Sequence, residues 1–165
     1  MKKLKQYIIT GMIFVIFTGF LSHFLYEWTG QNFIIGLLTP VNESVWEHMK
    51  LIFFPMLLYS LLMNFKFSEH YPCITPSLYF GIIFGTLLIP SFFYAYTGIL
   101  GHNVFFLDIA IFILSIIIAF FTVYKLTLSC KINSFAFLLY CIICIFIVCF
   151  LLFTYNPPNG EIFTE

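Results

Sequence analysis

The sequence predicts an all-α, polytopic transmembrane bundle of about five spanning helices, with residues 1–165 forming a single integral membrane domain. Three observations carry this expectation. Hydrophobic residues make up 62% of the chain and charged residues only 8%, far from the composition of soluble domains. Apolar runs such as Val104 to Val123 and Phe135 to Phe153 are long and unbroken, whereas a membrane barrel needs short alternating segments. At roughly 20 residues per crossing, the length accommodates a handful of helices and leaves no room for a separate soluble domain.

The elements follow in order. Lys2, Lys3 and Lys5 precede an apolar run reaching Tyr26. It looks like a secretory leader but lacks an A-x-A-like cleavage site, so Tyr7 to Tyr26 reads as an uncleaved first helix. Phe33 to Leu38 is apolar but too short to span, which suits a re-entrant or interfacial piece. The second spanning helix is expected over Glu43 to Asn64, with Pro40 before it, Asn42 as N-cap and Glu43 in the first turn. Its mostly apolar part, Leu51 to Met63, cannot cross alone, so the polar block before it must supply the first turns. Ser77 to Tyr96, Val104 to Tyr124 and Ser134 to Thr154 complete the set. Pro55 and Pro90 fall inside helices and predict kinks, and Gly81-x-x-x-Gly85 allows a close helix approach.

Five crossings place the termini on opposite sides. All lysines except Lys50 fall on the amino-terminal side. The positive-inside rule then predicts a cytoplasmic N-terminus and an outside C-terminus, in a bacterial cytoplasmic membrane. Arginine is absent and formal net charge is zero, which speaks against nucleic-acid binding. The bilayer is the expected partner, with a homo-oligomer or a second membrane protein left open. Five cysteines at these spacings indicate no disulfide framework, and Cys141, Cys144 and Cys149 read as small packed hydrophobes.

Chemistry concentrates at one end. His23, Glu27, Glu43, Glu47, His48, His102 and Asp108 all fall at outer helix ends or in outer loops, leaving Glu69 and His70 inside. Ionisable groups at membrane depth are expensive, so the cluster marks a functional site. His23 and Glu27 stand four apart on one helix face. His23, Glu27 and His48, completed or oriented by His102 and Asp108, make a candidate ligand set for a divalent metal such as zinc. Glu47 and Glu43 are the candidate catalytic carboxylates, Glu47 as general base. No zincin, P-loop, dinucleotide or serine-elbow motif occurs. The plain alternative is that Trp28, Trp46 and their acidic neighbours are interfacial anchors and that Glu47 merely pairs with Lys50.

Pro40, Asn42, Glu43, Ser44, Trp46, Glu47, His48, Lys50 and Leu51 read together as P-x-N-E-S-x-W-E-H-x-K-L. This block resembles that of an uncharacterised family of small bacterial multi-spanning membrane proteins. The stretch His23-Phe24-Leu25-Tyr26-Glu27-Trp28 is similar to an upstream stretch of that family, as are Pro157-Pro158 ahead of Phe163 and Glu165. The resemblance implies a membrane fold and singles out the same residues without supplying a reaction. The function expected is an outward-facing His/Glu site, in its sharper form a metal-dependent membrane hydrolase. The alternatives are a cation or proton relay in an accessory transport subunit, and a partner-docking membrane protein.

Overall fold

The computed structural model describes residues 2–164, so Met1 and Glu165 lie outside it. Within that span the chain is helical, with no strand among the described residues. Helix α1 covers Lys2–Trp28, the short α2 Phe33–Leu38, α3 Val45–Phe67, α4 Ile74–Leu100, α5 Phe105–Ser129 and α6 Ala136–Phe153. Single 3-10 turns occupy Asn133–Phe135 and Glu161–Phe163. Five of these helices are long and apolar enough to cross a membrane. Successive crossings gather Lys2, Lys66, Lys125 and Lys131 at one end of the bundle, the lysine-rich end. The α1–α3 connection, the α4–α5 turn and the C-terminal tail gather at the other, the polar end.

Helix α3 sits centrally, against α1 on one side and α4 on the other, while α5 packs on α4 and α1, and α6 on α4. That position explains how the most polar spanning helix is tolerated. Its Met49, Ile52, Phe53, Met56 and Met63 are buried, and its polar first turns face protein instead of hydrocarbon. The lipid-facing surface comes from the flanking helices, where Ile13, Phe17, Phe121 and Phe137 are exposed, and from the second half of α3, where Leu58, Leu61 and Phe65 are exposed.

Close approach of helices depends on small residues. A Cβ at Gly85 would stand 2.8 Å from the Ala119 Cβ, and one at Gly81 would run into Val123. The Gly81-x-x-x-Gly85 pair is therefore the seam between α4 and α5. Pro55 and Pro90 both lie inside continuous helices.

Two expectations are corrected here. The second spanning helix begins at Val45, with Ser44 as N-cap: its Oγ accepts the Glu47 N–H at 3.4 Å. Asn42 instead accepts the Ser44 N–H at 3.0 Å and shapes the turn before the helix, so Glu43 lies ahead of the first turn. Two capping-type residues two apart compete for one helix start, and the extended backbone of Ser44 decides it. The second correction is a disulfide between Cys73 and Cys130, 57 residues apart, which joins the α3–α4 and α5–α6 connections at the lysine-rich end. Sequence spacing gives no warning of a bond that only the folded bundle brings within reach.

Candidate metal centre

The polar end is built around a buried lysine. The Lys50 ammonium, 0% exposed, donates to Glu47 Oε2 at 2.7 Å, Thr154 Oγ1 at 2.6 Å and the Gly36 carbonyl at 3.1 Å. Glu47 Oε2 also accepts the Val41 N–H at 3.0 Å. One ion pair therefore ties together α2, the turn leading into α3, α3 itself and the end of α6. A second tie is aromatic: the Trp46 ring lies 4.7 Å from Phe150 and 5.0 Å from Phe163 of the tail. Tyr155 adds a hydrogen bond to the Phe33 carbonyl at 3.0 Å.

This scaffold presents Glu43 and His48 toward α1. His48 Nε2 stands 3.4 Å from Glu43 Oε2, and His23 Nε2 3.9 Å from Glu43 Oε1. The two imidazole centroids are 5.4 Å apart. One potential ligand atom from each of His23, Glu43 and His48 falls within 4.8 Å of the other two. Ligands at the ordinary zinc distances stand about 3.4 Å apart on a tetrahedral ion. The His48–Glu43 pair already has that spacing, and His23 has to close by roughly an ångström.

The tautomer of His48 follows from its surroundings. Its Nδ1 lies 2.9 Å from the Ser44 carbonyl, which can only accept, so Nδ1 carries the proton. A neutral His48 then offers the Nε2 lone pair to whatever lies beside Glu43, the arrangement usual for metal-ligating histidines. A protonated His48 would instead donate to Glu43. His23 Nδ1 is buried without a hydrogen-bond partner, an orphan that rotation of the ring would bring into play. In its protonated form the His48 ring donates to Glu43 and, with charge support from His23, holds the Glu43 carboxyl below the usual carboxylate range despite its partial burial.

A cleft of about 200 Å³ opens beside the triad, lined by His23, Tyr26, Glu27, Gln31, Asn42 and Glu43. Its rim turns on Gly30 and Gln31, both in the left-handed region with φ of 67° and 59°. For Gln31 that conformation carries strain of the kind found at functional turns.

The other residues singled out from sequence sit as follows. Glu27 is exposed at the rim of the cleft, four residues from His23 but outside the three-residue cluster. Glu47 is in the buried pair with Lys50, its carboxylate engaged by two donors. Asp108 accepts the Tyr96 hydroxyl at 2.5 Å, and the same hydroxyl accepts the Val104 N–H at 3.2 Å. His102 is exposed beyond α4, with Nδ1 3.1 Å from the Leu100 carbonyl. Tyr26, Gln31 and Asn42 were not expected to line the cleft. Tyr26 and Asn42 stand inside the two motif stretches, but Gln31 carries no such signal.

Comparison with known proteins gives one match: the model of a family of unknown function, DUF6512, covers residues 1–165. No curated protein and no solved structure matches the chain.

Proposed function

Because the chain belongs to DUF6512, whose function is unknown and which therefore lends it no activity, we propose from the site alone that it is a membrane-embedded metalloprotein. In this reading His23, Glu43 and His48 hold a divalent cation such as zinc at the polar end. The observation that carries it is the convergence of three ligand atoms with a His48 tautomer that leaves Nε2 free toward Glu43. Three protein ligands leave a position open to water or substrate, as in catalytic zinc sites. A Lewis acid there supports hydrolysis, so the sharper form of the reading is a metal-dependent hydrolase working at one face of the bilayer. Glu27, exposed on the cleft wall, is the carboxylate placed to handle a proton there. Glu47, engaged by Lys50 and Val41, positions the turn that carries Glu43 and His48.

By the lysine distribution the polar end faces outward and the N-terminus is cytoplasmic. The test is elemental mass spectrometry on detergent-purified protein beside a His23→Ala, His48→Ala variant. Near-stoichiometric zinc or another divalent metal, lost in the variant, supports the centre. Folded protein without metal, unchanged in thermal stability on adding zinc, overturns it.

A further inference from the structure

An apolar groove lies on the bundle surface between Ile13, Phe17 and Phe20 of α1 and Ile109, Phe112 and Ile113 of α5, with a volume of about 410 Å³. That is the size of a small-molecule site. It opens sideways toward lipid, since Ile13 is 64% and Phe17 67% exposed. Both walls end in polar residues at the same end. On α1 His23 follows Phe20 after three residues, a rise of about 4.5 Å, and on α5 Asp108 directly precedes Ile109.

Interface markers place the boundary between the two compartments. Trp28, exposed, follows His23 by five residues, and Phe33, Ile34 and Leu38 of α2 present an apolar surface beside the cleft. Amphipathic rings and short apolar helices of this kind settle at headgroup level. The cleft therefore lies at headgroup depth and the groove in hydrocarbon. The polarity gradient along this one surface follows that of a lipid molecule.

We propose that the ligand of the site is an acyl lipid of the same leaflet. Its chain lies in the α1–α5 groove, and an oxygen of its ester or phosphate faces His23, Glu43 and His48. The headgroup half of this inference rests on the metal reading above, while the chain half rests on the groove alone. A water-soluble substrate would leave the groove without a role, and the α1–α5 surface would then be covered only by non-selective bilayer lipid.

The probe is a phosphatidylethanolamine carrying a diazirine in its acyl chain, added below saturation to the full-length protein in delipidated dodecyl maltoside micelles. Photolabelled peptides are mapped by mass spectrometry, and zinc content is measured on the same samples. Labelling should be several-fold denser on Phe17, Phe20 and Phe112 than on Val148 and Leu152, which face lipid on α6. It should be competed by excess unlabelled lipid. Ile113→Trp, or Ile109→Trp should the first variant not fold, should fill the groove and lower its labelling several-fold with zinc content unchanged. Uniform labelling over α1, α5 and α6, or labelling indifferent to filling and to competitor, overturns the proposal. Groove labelling in a protein that holds no metal keeps the chain half and overturns the headgroup half together with the metal reading.

Discussion

The Lys50 ammonium and the Glu47 carboxylate meet at 2.7 Å inside the bundle, with side chains only 0% and 3% exposed. In water an i, i+3 pair contributes tenths of a kcal/mol. Here the pair is closed off from solvent and completed by Gly36, Val41 and Thr154, so its two members depend on each other. Removing one leaves the other as an uncompensated buried charge.

Lys50→Met or Glu47→Gln alone should therefore destabilise the protein by about 3–5 kcal/mol. The double variant Glu47→Leu, Lys50→Met should recover a large part of that loss, because an apolar pair of similar volume needs no partners. Thermal unfolding in detergent of the two singles and the double checks this. Singles as stable as the parent would show that the pair does not hold α2 and α6 to α3.

On the metal reading, zinc binding should depend directly on His23, Glu43 and His48. His48→Ala and Glu43→Gln should each weaken it by at least the ~10–100-fold that outer-shell changes cost. His102→Ala should leave it unchanged, since that ring lies outside the cluster. Competition with a metal-sensitive dye gives the affinities. Equal losses in the His102 variant would place the centre elsewhere.

The Cys73–Cys130 bond lies at the lysine-rich end, which the positive-inside rule assigns to the cytoplasm, where thiols are kept reduced. In a variant lacking Cys141, Cys144 and Cys149, an impermeant maleimide should not react in intact cells even after an impermeant phosphine reductant is added outside. It should react after the membrane is opened and reductant added. Labelling from outside would reverse the proposed orientation. Cys73→Ser should lower thermal stability by less than the ~4 kcal/mol that loop entropy predicts for a soluble chain, because membrane insertion already restrains both ends of the loop.

Helix contacts give a paired prediction. Gly81→Val pushes side-chain atoms into Val123 across the α4–α5 seam and should cost about 1–3 kcal/mol as overpacking. Gly98→Ala, in the same helix with nothing within 4 Å of the new Cβ, should be neutral or slightly stabilising, by up to ~1 kcal/mol. Comparing their melting temperatures tests the seam directly. Equal effects would deny it.

The spanning helices, the short apolar piece between the first two of them, and the gathering of ionisable residues at one end are all legible in the sequence. Each rests on hydropathy, length or alternation along the chain, and those are properties of segments. The sequence also singled out His23, Glu43 and His48 among the polar residues, though Glu43 was expected inside a helix and apart from the metal ligands.

Packing of the helices sets which of them is central, turns Glu47 to Lys50, stands Glu43 beside both histidines and brings Cys73 to Cys130. In hydrocarbon every face of a helix is apolar, so the sequence barely encodes how each helix is rotated about its axis. Rotation is set by packing, by Gly81 and Gly85 on α5 and by Trp46 on α6, and rotation determines which polar side chains meet.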